Sequence, residues 1–182
     1  GEEGCDDYNE ELFNMLSFAR DEIISTLENE SLSLRERIYT VAVYSEKIQT
    51  MADNYIFTPM PITDADIPTN EKSDIKSFLE SFTVLEPIDA NWEEYLRKLI
   101  SSSDSLNEKL SDKGRYDAYL KNIAVYFIWR YFLKGVYDEE ILSKVRLMAV
   151  SIAMIKLMYL EAENPGEAPN AEKCSLLAKN YS

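Results

Sequence analysis

The stretch Tyr116–Leu160 constrains the fold of this chain more than any other feature of the sequence. Its apolar residues predict two helices, Tyr116–Lys134 and Asp138–Leu160, and Gly135 is expected to end the first one in the left-handed cap conformation. Asp138 is expected to cap the second helix. Both helices are apolar on nearly every side, and such helices must be enclosed by other elements. We therefore expect this pair at the centre of the fold.

Amphipathic patterns elsewhere predict the helices that surround this pair. Glycine and proline, with 5 and 6 residues, are too scarce for a sheet protein with frequent turns. The clearest additional helices are Tyr8–Leu27, Leu34–Asn54, Asn70–Leu85 and Trp92–Ile100. Leu106–Leu110 is predicted as a shorter helical piece, and Ala171–Ala178 can form a last helix. The prediction is an all-α fold: a single-domain helical bundle of six or seven helices over residues 1–182, around two central hydrophobic helices.

Local signals predict where the first two helices begin. Asp6 or Asp7 can accept a hydrogen bond from the first turn of the first helix. Ser33 and Glu36 have the spacing of a capping box, in which each side chain bonds the other residue's backbone amide. We therefore expect the second helix to start directly after Ser33.

The segment Phe57–Asn70 is the longest stretch without a helical pattern. Three prolines, Pro59, Pro61 and Pro68, exclude a continuous helix there. The segment could be a mobile lid or a tether across the surface. We favour a connector, held by Phe57, Met60 and Ile62.

Acidic residues dominate the first part of the chain. Residues 1–112 carry 25 acidic and 9 basic side chains, whereas residues 113–182 carry 8 and 10, and the whole chain has a formal net charge of −14. An acidic surface repels phosphate, so nonspecific nucleic-acid binding is not expected. We interpret the charge mainly as a solubilising surface. The alternative is an acidic face that attracts a basic partner, such as a lysine-bearing substrate.

The residues missing from the chain exclude several kinds of chemistry. The chain has no histidine, which excludes metal coordination by histidine and Ser-His-Asp catalytic triads. Cys5 and Cys174 lack zinc-ligand spacing, so we expect no metal site and interpret both as free thiols in a reducing cytoplasm. No glycine-rich nucleotide-binding turn is present. The longest uncharged apolar run, Leu147–Ile155, is far below the ~18 residues that span a bilayer, so no membrane association is expected.

Two arginines stand out because each lies in a dense apolar sequence. A buried arginine costs several kcal/mol unless it is paired, so the simpler interpretation is that Arg130 and Arg146 pair with acids or reach the surface. The functional alternative is a polar slot near the central turn that holds an anionic group. The candidate slot residues are Arg130, Tyr131, Lys134, Tyr137, Asp138 and Arg146.

Three segments resemble a known family. Tyr126–Asp138, followed by Leu142–Leu147, resembles the C-terminal helical region of bacterial flagellin lysine N-methylases. Ser33–Arg37, after a leucine-rich helix, resembles an earlier segment of the same family. Order and approximate spacing agree, so the resemblance covers most of the chain.

The resemblance implies a domain of a protein-lysine N-methylase. It implies methyl transfer from S-adenosylmethionine to a lysine of a flagellin-like protein, and a cysteine-rich cluster upstream of the helices. This chain lacks that cluster, although Cys5 could be a remnant of its downstream edge. We therefore expect a fragment that is not active alone, and the sequence identifies no catalytic or cofactor-binding residue.

Two other functions stay open at this point. One is a non-catalytic acidic α-helical protein-interaction module, which the charge of residues 1–112 favours. The other is a regulatory bundle that binds a ligand in the polar slot.

Overall fold

Helices are the only regular secondary structure in the described part of the chain. The computed structural model describes residues 9–67, 74–84, 91–110, 114 and 116–162. Within these ranges there are α-helices and 3₁₀ turns and no strand, which confirms the all-α prediction. The α-helices are α1 (Glu10–Glu28), α2 (Leu34–Asp53), α3 (Ile75–Glu80), α4 (Trp92–Ser101), α5 (Ser103–Leu110), α6 (Asp117–Tyr131), α7 (Gly135–Asp138) and α8 (Ile141–Ala162). The 3₁₀ turns are Asp64–Asp66, Ser81–Val84 and Phe132–Lys134.

The helix count agrees with the sequence. Helix α7 is a single turn of 4 residues, and each of the other seven described helices has 6 or more. The predicted helix Ala171–Ala178 lies outside the described residues, as do Asp6 and Asp7.

The start of α2 follows its sequence signal, whereas α1 uses a different cap. The Ser33 amide donates to Glu36 Oε2 at 2.7 Å, and the Glu36 amide donates to Ser33 Oγ at 3.2 Å, so the predicted capping box is present. Helix α1 is capped by Asn9, whose Oδ1 accepts from the Leu12 amide at 3.0 Å. The helix therefore starts at Glu10 rather than at Tyr8, and its cap is Asn9 instead of the predicted Asp6 or Asp7.

The chain divides into two compact units. Unit one is drawn from Gly1–Thr69 and Asp117–Ile152, and unit two from Asn70–Tyr116 and Ala153–Ser182. The single-domain organisation of residues 1–182 stays a prediction.

Unit one is organised around α1, which packs against α2, α6, α7 and the turn Phe132–Lys134. The apolar stripe of this helix is buried, with every member at most 2% exposed: Leu12, Leu16, Ala19, Ile23 and Leu27. The end of the helix is closed from α2. There the buried Arg37 donates from Nη1 to the Leu27 carbonyl at 3.0 Å and from Nε to the Leu32 carbonyl at 2.8 Å. This arginine satisfies the Leu27 carbonyl, which the helix end leaves unpaired, and a carbonyl of the linker that follows.

Helix α6 is less enclosed than its composition predicted. Its buried residues are Leu120, Ala124 and Ile128, one stripe at a spacing of four residues. Tyr126 and Trp129 are each 55% exposed. The prediction that Tyr116–Lys134 is covered on nearly every side is therefore wrong for one face. Tyrosine and tryptophan combine an apolar body with a polar tip, so they tolerate such half-exposed positions.

The predicted linker over residues 135–137 is helical instead. Gly135 has φ −55°, an ordinary helical value, and the left-handed residue is Glu139, with φ 58°. The prediction of Gly135 as a left-handed cap is therefore wrong. A Cβ on Gly135 would lie 3.1 Å from Ile141 Cγ1 and 3.5 Å from Leu16 Cδ1. The position needs glycine for space rather than for backbone freedom.

A single side chain on α2 secures the turn between α7 and α8. Gln49 Nε2 donates to the Glu139 carbonyl at 2.9 Å, and Gln49 Oε1 accepts from the Leu142 amide at 3.0 Å. The side-chain amide of Gln49 therefore forms hydrogen bonds with the backbone on both sides of the turn.

The described part of the proline-rich segment is tied to α1 and α2. The Tyr44 hydroxyl donates to the Met60 carbonyl at 2.6 Å, and the Ile62 amide donates to Glu22 Oε2 at 2.9 Å. Asp66, with its side chain 2% exposed, pairs with Lys47. Burial alone would raise the pKa of Asp66, but the hydrogen bonds from Lys47 and Thr63 outweigh it and hold the pKa below its usual value. These contacts favour the connector over the lid.

Unit two has its own apolar core. Its buried residues come from α3, α4, α5 and the end of α8: Ile75, Leu79, Leu96, Leu99, Leu106, Met154, Leu157 and Leu160. Two lysines bind the last turn of α8, because Lys98 pairs with Glu161 at 2.5 Å and Lys109 donates to the Leu160 carbonyl at 2.7 Å. Burial, with the nearby Glu161 carboxylate, raises the pKa of Tyr95 to about 12.

We predict that Gly135→Ala lowers stability. Alanine restricts the unfolded chain, which favours folding by about 0.4–1 kcal/mol, but overpacking in a filled core costs about 1–3 kcal/mol. Ile141 is fully buried and has little room to retreat. We expect a net loss of about 1 kcal/mol in urea unfolding, and a larger loss for Gly135→Val. A stability gain for the alanine variant would contradict the packing role.

We predict that Asp66→Asn lowers the free energy of unfolding by about 1–2 kcal/mol at pH 7, because it removes the buried carboxylate that pairs with Lys47. The loss should be moderate, since the Lys47 side chain is 44% exposed and water screens the pair. A folded-state pKa below the unfolded value, near 3.9, makes the carboxylate stabilising above that value. The contribution is lost as the pH falls through the folded-state pKa.

Urea unfolding between pH 7 and pH 3 measures this effect. The difference between the native chain and Asp66→Asn should shrink below about pH 4. Asp64→Asn is the matched control, since Asp64 is an exposed acid in the same 3₁₀ turn. A difference that stays constant over this pH range would contradict the assignment.

Candidate functional site

Half of the predicted polar slot comes together at the end of α6. Arg130 Nε donates to the Tyr131 hydroxyl at 3.3 Å, and its guanidinium carbon lies 5.6 Å from the Tyr131 ring centroid. Lys134 Nζ lies 5.1 Å from the same centroid. Hydrogen bonding to Tyr131 raises the pKa of Arg130. Two cations thus lie against one phenol ring at the surface.

Two of the other predicted slot residues, Asp138 and Arg146, have partners outside the predicted set. Asp138 pairs with Lys144 at 2.5 Å and accepts from the Glu140 amide at 3.1 Å. Burial alone would raise the pKa of Asp138, but these contacts lower it overall. Arg146 Nη2 lies 3.6 Å from Glu46 Oε1, and both side chains are more than half exposed. Tyr137 is 72% exposed. A slot that binds a ligand stays a prediction.

A second site was not predicted from the sequence. It is a shallow cleft lined by Asp21, Ile24, Ser25 and Glu28 of α1 and by Trp129 of α6. The four α1 residues are spaced by three, one and three positions, which places them on one face of the helix. This face is distinct from the buried stripe that ends at Leu27. We call the five residues the Trp129 cleft.

A cation of the chain itself lies at this cleft. The Arg20 guanidinium carbon is 4.4 Å from the Trp129 ring centroid, within the range of a cation–π interaction. The same guanidinium donates to Asp21 Oδ1, from Nε at 2.9 Å and from Nη2 at 2.8 Å. Glu28 adds an exposed carboxylate with no ion-pair partner among the described residues. The cleft therefore combines an indole face with two carboxylates.

The sequence did not predict this cleft because the helix Tyr116–Lys134, which contains Trp129, was expected to be enclosed on nearly every side. The signal was available, since the stripe Leu120, Ala124 and Ile128 sets the buried direction of α6, and Trp129 lies about 100° away from it. A helix with one narrow buried stripe must expose some of its aromatic residues.

Residues 9–67, 74–84, 91–110, 114 and 116–162 contain no group of three or more histidine, cysteine, aspartate or glutamate side chains that could hold a metal ion. Among the helices of these ranges, none has the length and hydropathy to cross a membrane.

The fold and the cleft define a helical domain with an acidic, aromatic surface site. The chain matches the family model of the FliB lysine N-methylase C-terminal domain over residues 20–182, and it belongs to that family. This match confirms the resemblance to the flagellin lysine N-methylases. No curated protein and no solved structure matches the chain significantly.

We predict that the Arg146–Glu46 pair contributes little to stability. An exposed pair gains modest Coulomb energy and loses side-chain freedom, so Arg146→Ala should change the free energy of unfolding by less than about 0.5 kcal/mol. A double-mutant cycle with Glu46→Ala measures the coupling directly. The Asp138–Lys144 cycle is the comparison, and its coupling should be larger because the Lys144 side chain is only 17% exposed. A coupling above about 1 kcal/mol for Arg146–Glu46 would contradict this ranking.

Proposed function

We propose that this chain is the helical domain of a protein-lysine N-methylase, and that it contributes substrate recognition to the whole enzyme. The observation that carries the proposal is the family match over residues 20–182. The proposed acceptor is a lysine of a flagellin-like protein, and the proposed location is the cytoplasm, where Cys5 and Cys174 would be reduced.

The described site suits recognition better than methyl transfer. Methyl transfer to lysine requires the neutral amine, because the ammonium form has no free electron pair. Carboxylates such as Asp21 and Glu28 stabilise the ammonium form and raise the lysine pKa. The Trp129 cleft therefore favours the protonation state that does not react.

The methyl donor implied by the family is a small molecule, and small-molecule sites bury most of their ligand's surface. The Trp129 cleft is instead open and lined by five residues. We therefore assign neither methyl-donor binding nor a catalytic step to the cleft. In this proposal the donor binds elsewhere in the enzyme.

A non-catalytic interaction module is the second candidate. The charge of residues 1–112, with 25 acidic and 9 basic side chains, favours it. Such a module would bind a basic partner without modifying it, and its binding would weaken with added salt.

A methylation assay tests the proposal. The full-length gene product that contains this chain is incubated with S-adenosylmethionine and flagellin from the same source, and methyl-lysine is measured by mass spectrometry. We expect methylation by the full-length protein and none by residues 1–182 alone, because these residues supply recognition only. Flagellin incubated without enzyme is the control.

Two outcomes would count against the proposal. A full-length protein that never methylates flagellin lysines would reject the methylase assignment. Salt-sensitive binding of the same flagellin without methylation would then favour the interaction module. Methylation by residues 1–182 alone would reject the assignment of recognition only.

A further inference from the structure

We propose that the Trp129 cleft is a docking site for a protonated lysine side chain of the partner protein, and that Arg20 is an internal competitor for it. The choice of lysine rests on the proposed function. The site itself rests on the geometry of Arg20, Asp21 and Trp129.

The first argument is that the cleft already binds a cation. Arg20 lies over the Trp129 indole at 4.4 Å and donates two hydrogen bonds to Asp21. These are the two contacts that a lysine ammonium would seek: the negative face of an aromatic ring and a carboxylate oxygen. The geometry therefore shows a cation satisfied by this pair of groups.

The second argument is charge. Asp21 and Glu28 both line the cleft, whereas Arg20 is the cation that contacts it. Since Arg20 already pairs with Asp21, Glu28 supplies a further carboxylate for an incoming cation. Helix α1 itself has the same sign, because it carries five acidic side chains and one basic side chain. A basic segment would be attracted to this surface from a distance.

The third argument is access. Trp129 is 55% exposed, and the Asp21 side chain is 66% exposed, so a lysine on another chain can reach both. The Arg20 side chain is only 18% exposed, so the protein covers it more than it covers its partner acid. An incoming lysine must share or displace the Arg20 contacts, which is why we infer competition.

A binding titration tests the site. The probe is a capped Gly-Gly-Lys-Gly-Gly peptide, added to the 182-residue chain without any methyl donor, and the signal is the Trp129 indole N–H in nitrogen-15 NMR spectra. We expect a dissociation constant on the order of 1 mM, as for a contact of one side chain. The acetyl-lysine peptide should not bind, because it lacks the charge.

Substitutions in the cleft should weaken this binding. We expect about three- to fivefold weaker binding for Trp129→Ala, followed through backbone signals of α1, and a similar loss for Asp21→Asn with Glu28→Gln. Tyr126→Ala is the matched aromatic control, since Tyr126 is on α6, is equally exposed and does not line the cleft. Glu10→Gln with Glu11→Gln removes the same charge from the same helix and controls for the overall field.

Arg20→Ala separates the proposal from a purely structural role. It frees the indole and Asp21 and removes a like charge, so we expect about two- to fivefold tighter lysine binding. Arg97→Ala is the control, because Arg97 is also an arginine paired with an acid, Glu93, and is exposed. It lies on α4, far from Arg20 in the sequence. Binding that is unchanged or weaker in Arg20→Ala would overturn the competition.

The remaining outcomes also decide the question. Binding unaffected by both Trp129→Ala and the Asp21/Glu28 variant would overturn the site. Tighter binding of a capped Gly-Gly-Arg-Gly-Gly peptide than of the lysine peptide would overturn the choice of lysine. Because no methyl donor is present, these results are independent of whether the full-length protein methylates flagellin.

Discussion

The burial of one face of α1 is the interaction on which unit one depends. Leu12, Leu16, Ile23 and Leu27 are removed from water against α2, α6 and α7. Each contributes about 1.5–3 kcal/mol relative to an exposed position. Because the helical repeat is fixed, the same burial turns another face, with Asp21 and Glu28, toward solvent. The core positions of α1 therefore set the position of the cleft beside Trp129.

Much of the fold could be predicted because its signals are local. Ser33 and Glu36 interact over three positions, and the α1 stripe repeats every three or four residues, so sequence alone locates both. The role of Gly135 could not be found in this way. Its constraint comes from Ile141 and from Leu16, which is far away in the sequence. A glycine chosen for space looks the same in the sequence as one chosen for a turn.

The contacts at the candidate sites also divide into those that are local in the sequence and those that are not. Arg130, Tyr131 and Lys134 meet because they are neighbours on one helical stretch. The partner of Arg146 is Glu46 on α2, and no local pattern in the sequence indicates that pair. The exposure of Trp129 was not predicted for a different reason. Counting aromatic residues as apolar overestimates burial, since an indole can be covered by a guanidinium instead of by a core.

The Gln49 bridge has a consequence for which residues this surface accepts. Its nitrogen faces the Glu139 carbonyl and its oxygen faces the Leu142 amide, so the position requires a donor and an acceptor on one planar group. Glutamate has nearly the same shape but would set two oxygens against each other at the carbonyl side. Although the chain has 33 acidic residues, a further acidic side chain at position 49 is therefore unfavourable.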